Sequence, residues 1–136
     1  MLREGETYKR SKLHDEYGGN RQGGIASCRK SDMILLFTGN SGKEHGYEDG
    51  WKSNEIFHYT GEGQVGDMEF KRGNKSIRDH LKDGKEIYLF EQSGDGFVKC
   101  LGEMEYNCHQ IREGIDRNNH KRNIIVFELH KKPTKK

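Results

Sequence analysis

Over residues 46–63 the chain reads GYEDGWKSNEIFHYTGEG, placing Tyr47 and Tyr59 at the two ends of a short loop-and-strand segment. The carboxylates Glu48 and Asp49 follow the first tyrosine, and a turn containing Gly61 and Gly63 follows the second. Two flat rings and one acidic group suit a flat, polar guest. A cytosine base meets that description: its faces stack on aromatic rings, its N4 amino group donates to a carboxylate, and its O2 and N3 accept from backbone N–H groups. Thymine would turn O4, an acceptor, toward the same carboxylate and be rejected. Glu48 and Asp49 are adjacent, so in extended chain they point to opposite sides; one base-facing acceptor is expected, not paired acid–base catalysis. Trp51, the one tryptophan, is either a pocket wall or a loop anchor.

Such groups need a frame. The length predicts one domain over residues 1–130, with the basic stretch 131–136 as a disordered tail or linker. Hydrophobic residues make up 30% of the chain and charged residues 34%, so the core must be thin; 18 glycines against a single proline point to short strands joined by many turns. A helix is expected over 7–17, with Thr7 as N-cap and Gly18 as its stop. GGNRQGGI, residues 18–25, is too rich in glycine for a regular element and allows close backbone approach to another molecule.

Strands are expected at 33–37 and 56–60, and alternation in the second puts Phe57 and Tyr59 on one side, with Ile56, His58 and Thr60 on the other. A second helix is expected at 74–81, N-capped by Asn74. Strands at 86–92 and 97–103 are joined by SGDG, a hairpin signal. A continuation at 105–111, a polar loop at 112–122 and a closing strand at 123–129 complete the chain. The resulting class is α+β, mainly β: a small bent barrel with two short helices packed outside.

Several chemistries are disfavoured. No apolar run approaches the ~18 residues of a membrane span, and the N-terminus lacks a signal-peptide stretch, so a soluble cytoplasmic protein with no membrane partner is expected. Cys28, Cys100 and Cys108 show no CxxC spacing. The seven histidines show no paired-ligand spacing, so no metal, cofactor or catalytic group is assigned. Arg117-Asn118-Asn119-His120 superficially resembles an HNH nuclease motif, without the separated histidines that a ββα-metal site needs. The net charge of +2 and pI of about 8.4 permit nucleic-acid binding without demanding it. Basic residues nevertheless gather around Lys9, Arg21, Lys71 and the C-terminus.

GYED, followed by YTGEG, with RQGGI at 21–25, ILLFTG at 34–39 and GNKSIRDH at 73–80, resembles the signature of the SRA (YDG) domain. Together these segments look like the SRA-like domain found in bacterial modification-dependent HNH restriction endonucleases, and the resemblance runs from about residue 8 to 129. This resemblance implies a PUA-like fold that binds double-stranded DNA and flips a modified cytosine, 5-methyl or 5-hydroxymethyl, into a cavity between Tyr47 and Tyr59. By the same resemblance Asp49 accepts from N4, Thr60 with Gly61 and Gly63 holds the other polar edge, and Arg21 and Gln22 fill the vacated stack. Lys71, Arg72, Asn74 and Lys75 are expected on the DNA side. The chain itself is expected to bind rather than cleave, with an HNH nuclease domain in cis or in trans and a bacterial cytoplasmic setting.

Two departures bear on the transfer. Many SRA domains carry the acidic residue one position later, where Gly50 stands here, so Asp49 is ranked ahead of Glu48. The interval between YTGEG and GNKSI is far shorter than the finger of eukaryotic SRA domains, so inspection of the partner strand is not carried over. The reading from a different class is a PUA-like RNA- or protein-binding module that flips no base. A nuclease or glycosylase ranks third.

Overall fold

A computed structural model describes residues 2–21, 23–28, 30–39 and 49–133. In chain order the elements are β1 (Thr7–Lys9), α1 (Arg10–Tyr17), β2 (Ile25–Ser27), β3 (Met33–Thr38), β4 (Gly50–Trp51), β5 (Ile56–Thr60), α2 (Arg72–Arg78), β6 (Glu86–Gln92), β7 (Phe97–Ile115) and β8 (Lys121–Lys131). The eight strands form one sheet in the order β2-β3-β6-β7-β8-β5-β4, with β1 added to β7. β3 and β6 pair in parallel; the other pairs are antiparallel.

Burial on both faces explains why MILLF is a continuous apolar run rather than an alternating one. Ile34 and Leu36 enter one core with Ile87, Leu89, Tyr59 and Phe127, whereas Leu35 enters a second core with Leu13, Phe90 and Cys100. β7 serves both. Leu89 pairs with Gly102 and Phe90 with Cys100, so Leu101 is an extra residue in β7. A bulge of this kind reverses the side-chain alternation. Cys100 therefore faces the second core and Met104 the first. A second irregularity at Asn107 is braced by buried His80, whose Nδ1 donates to the Lys85 carbonyl at 2.8 Å while Nε2 accepts from the Tyr106 N–H at 3.0 Å. The histidine of GNKSIRDH is thus a spacer within the frame.

The barrel expectation is met in its curl but not by a closed hydrogen-bond ladder: among the described residues β2 and β4 remain the unpaired ends of the strand order. The sheet nevertheless wraps far enough for Ile25 of β2 to share a core with Tyr59 of β5.

Several boundaries depart from expectation. Thr7 lies in β1 rather than capping a helix, and α1 begins at Arg10 after Lys9, which makes no side-chain cap. Gly18 does stop α1, with φ of 88° and its N–H on the His14 carbonyl at 2.8 Å. α2 starts two residues earlier than expected, so Asn74 is an interior residue of the helix and is 1% exposed. The expected polar loop at 112–122 is largely strand, because β7 runs unbroken to Ile115. Lys131, assigned to the tail, closes β8 and pairs with Glu4; Lys132 follows with its ammonium 3.1 Å from Glu103.

Candidate nucleic-acid interface

Asp49 lies just before β4, where its carboxylate meets the ends of β3 and β5. Its Oδ2 accepts from the Thr38 hydroxyl at 2.6 Å and its Oδ1 from the Thr60 N–H at 2.7 Å. Burial pushes its pKa above the ordinary aspartate value, opposed by these two donors. A carboxylate offers about four acceptor positions, so one lone pair on each oxygen is left after these bonds. The Thr60 hydroxyl also lies beside the carboxylate and draws its pKa down, yet Oγ1 is buried without a hydrogen bond of ordinary geometry. Asp49 and Thr60 are therefore brought together with polar capacity to spare.

Tyr59 sits deeper than expected. It is 3% exposed, shares the first core with Phe57 as the alternation predicted, and places its hydroxyl 2.9 Å from the Gly24 carbonyl and 3.1 Å from that of Phe37. Burial and the nearby Asp49 carboxylate push its pKa far above the ordinary phenol value. Trp51 is half exposed, packs edge-on against Phe57 with centroids 5.1 Å apart, and anchors the sheet's end. Tyr47, Glu48 and Gln22 lie outside the described residues.

The turn after Tyr59 is already committed. Gly61 N–H donates to the Ile125 carbonyl at 2.7 Å, and Glu62 N–H to Asn74 Oδ1 at 2.8 Å. A Cβ at Gly61 would lie 2.8 Å from that same Asn74 oxygen, so the position needs glycine for space. Thr60, Gly61 and Glu62 thus have no free N–H for a base edge. Asn74 Nδ2 donates to the carbonyls of Glu62 and Glu69, each at 2.9 Å. Expected as a DNA contact, Asn74 instead lies inside the protein and ties both ends of the loop between β5 and α2. Within the first turn of α2, Gly73 N–H is taken by the Glu62 carboxylate at 3.0 Å and Asn74 N–H by the Lys71 carbonyl at 3.1 Å.

Beside that loop runs an open groove of about 1110 Å³ lined by Gly18, Asn20, Lys30, Gln64, Lys71 and Arg72 together with the acidic residues Glu62, Asp67 and Glu69. Arg72 holds a φ of 49°, uncommon for a side chain of its size. Lys71 reaches Glu69 at 3.1 Å, and Lys75 is exposed on α2 without lining the groove. Arg21 does not project outward: its guanidinium bonds Asp15 at 2.6 Å and the Ser11 carbonyl at 3.2 Å. Both partners of the Arg21–Asp15 pair are more than half exposed, so solvent screens the pair and it contributes little.

Three residues that sequence reasoning passed over hold this region. Thr38 fixes Asp49. Arg10 stacks its guanidinium on Phe37, 3.8 Å from the ring centroid, and donates from Nη2 to the Gly23 carbonyl at 2.6 Å. His14 accepts from Arg10 Nε at 3.0 Å and donates from Nδ1 to the Gly18 carbonyl at 2.9 Å. The spacing of Arg10 and His14 on one helix, four residues apart, was the available signal.

A bent, mainly antiparallel sheet with two short helices, and an acidic group set beside the hairpin at one end of the strand order, is the arrangement of an SRA-type domain. The chain belongs to the ScoMcrA-like SRA domain family, whose model matches residues 4–136. Among solved structures it is similar to "Sulfur binding domain and SRA domain of ScoMcrA complexed with phosphorothioated DNA", at 22% identity over 98% of this chain and 41% of that one, with a TM-score of 0.76. It is also similar to "DNA recognition domain of the cytosine modification-dependent restriction endonuclease LpnPI", at 14% identity over 94% of this chain and 72% of that one, with a TM-score of 0.73. A third is a SUVH5 SRA complex with hemi-methylated CG DNA, at 16% identity over 99% and 92%, with a TM-score of 0.70. The chain spans 25% of the ScoMcrA chain described as a Type IV phosphorothioation-dependent restriction endonuclease. No curated protein matches it.

Proposed function

We propose that this chain is a reader of modified cytosine in duplex DNA that takes the base out of the stack, and that it serves as the recognition module of a modification-dependent restriction system. The observation that carries this reading is Asp49, a partly buried carboxylate with acceptor capacity left over, beside a buried Thr60 hydroxyl that lacks a hydrogen bond of ordinary geometry. Cytosine presents an N4 donor next to an N3 acceptor; Asp49 accepts from the first and the Thr60 hydroxyl donates to the second. The Thr60–Glu62 backbone is not part of this edge, because its N–H groups are spent within the protein.

In this proposal Tyr47 and Tyr59 flank the base, so the Tyr59 ring must be uncovered when the base enters, and Glu48, Trp51, Gly61 and Gly63 form the surroundings. Stacking contributes roughly 1–3 kcal/mol per base on an aromatic, which with the polar edge offsets an unstacking cost of a few kcal/mol. Arg21 and Gln22 occupy the vacated position, and Arg72, Lys71 and Lys75 contact phosphates. A nuclease domain in cis or in trans performs the cleavage. The test is fluorescence of 2-aminopurine placed beside a single modified cytosine: binding should raise its emission, and Asp49→Asn should abolish the rise. Tight binding with unchanged emission would mean that no base leaves the stack.

A further inference from the structure

β7 and β8 keep pairing beyond the core, as far as Ile115 opposite Lys121, and turn through Asp116 to His120. The carboxylate of Asp116 is turned inward, 3% exposed, where it accepts from the N–H groups of Asn118 at 2.9 Å, His120 at 3.0 Å and Gly66 at 3.1 Å. These backbone donors, Gly66 first, hold its pKa below the ordinary aspartate value and keep it ionised within the turn, with His120 Nδ1 4.0 Å away. Asn119, in the left-handed region with φ of 62°, completes the turn by donating to the Asp116 carbonyl at 3.0 Å. The exposed side chains of the turn are polar or basic, Arg117, Asn118, Asn119 and His120, with Ile115 and Lys121 exposed at its base.

The tip is fastened to the groove wall. Arg117 N–H donates to the Gln64 carbonyl at 3.0 Å and its Nη1 to Gln64 Oε1 at 2.7 Å, and Gln64 lines the groove. Gln64 is neutral, so it positions the guanidinium at the rim without cancelling its charge. Beneath the same wall buried Arg122 donates to the carbonyls of Gly63 at 2.7 Å and Gly66 at 3.1 Å, and its Nε and Nη2 have no hydrogen-bond partner. The groove itself is lined by carboxylates as well as cations, Glu62, Asp67 and Glu69 beside Lys30, Lys71 and Arg72, so the exposed Arg117 guanidinium, held by a neutral partner, is a cation left available beside it.

We infer that the β7–β8 hairpin tip is a further DNA-contacting element, in which Arg117 binds a phosphate of the duplex whose modified base is read at Asp49. The inference rests on the function proposed above. A phosphate contact positions the duplex without reading sequence, and its loss lowers the salt dependence of binding by about 0.9 in the slope of log K against log salt.

The test is titration of the full chain with matched duplexes carrying cytosine or 5-methylcytosine, over a range of salt, for the wild type, Arg117→Gln and Lys99→Gln. Lys99 is exposed on β7 beside β1, away from the groove. Arg117→Gln should weaken both duplexes by the same several-fold factor, lower the slope by about 0.9 and leave the ratio between duplexes unchanged; Lys99→Gln should do neither. An affinity and slope for Arg117→Gln equal to the wild type overturns the inference even if the chain prefers 5-methylcytosine. A lowered slope in a chain that prefers neither duplex supports the phosphate contact and rejects the base-reading proposal. Absence of duplex binding overturns both.

Discussion

The Tyr59 hydroxyl lies 2.9 Å from the carbonyl oxygen of Gly24, joining β5 to the residue before β2 although the two strands stand near opposite ends of the sheet order. Gly24 O also accepts the Phe37 N–H at 2.7 Å, so one side chain and one backbone group hold the glycine-rich loop against the sheet. The ring expected to stack a base is thus also the tie across the gap in the sheet. Tyr59→Phe should cost about 1 kcal/mol in urea unfolding and speed hydrogen exchange around Gly24. Tyr59→Ala should cost about 3–5 kcal/mol, which makes it a poor binding control. Equal stability of Tyr59→Phe and the wild type would show that the hydroxyl ties nothing.

Gly24 is small because of that hydroxyl. A Cβ there would lie 2.9 Å from Tyr59 Oη and 3.4 Å from the Phe37 carbonyl. Gly24→Ala should therefore destabilise the chain, and much less so in a Tyr59→Phe background. Additive losses in the double-mutant cycle would contradict the contact.

Asn74 should behave as a structural residue. Asn74→Ala leaves the Glu62 N–H and the carbonyls of Glu62 and Glu69 without their partner and should cost about 2–3 kcal/mol. Lys75→Ala on the exposed side of the same helix should leave the unfolding midpoint unchanged. A stable Asn74→Ala chain with weakened DNA binding would restore the expected contact role.

Acid should loosen the glycine-rich loop through His14. Burial first, then the charge of Arg10, hold its pKa below the ordinary value of 6.5, against the pull of the Gly18 carbonyl. Arg10, Arg21 and Asp15 are the charged groups that act on it, and Phe37 is the ring it packs against. The unfolded chain then binds a proton more readily than the folded one, so stability is complete above about pH 6.5 and declines as the pH falls toward the lowered value. Protonation also removes the acceptor for Arg10 Nε. Urea unfolding from pH 8 to pH 5 should show a steeper loss for the wild type than for His14→Gln; parallel curves would contradict this role.

Much of the frame was legible because apolar runs and turn residues act locally. The runs at 33–37 and 56–60, and SGDG between β6 and β7, needed no tertiary information to be placed. β7 was read as two strands and a loop because its bulges at Leu101 and Asn107 break the alternation, and because Arg112, Glu113 and Gly114 look like loop residues when their partners in β8 are unseen. Thr7 has the right type for a helix cap, but pairing of β1 with Lys99 of β7 claimed its backbone. At the site, Asp49 could be ranked from GYED, whereas Thr38 and the inward turn of Asn74 depend on contacts between distant segments. Arg21, read as reaching outward, folds back because Asp15 stands one turn from the end of α1, a neighbour that sequence distance conceals.

The central claim is that Asp49 reads a modified cytosine, and equilibrium binding to matched duplexes with cytosine, 5-methylcytosine or 5-hydroxymethylcytosine at one site tests it most directly, at physiological salt, with Asp49→Asn beside the wild type. The account predicts tighter binding of a modified duplex by the wild type and loss of that preference in Asp49→Asn, whose amide turns a donor toward N4. Equal, salt-sensitive binding of all three duplexes, unchanged by Asp49→Asn, would contradict it.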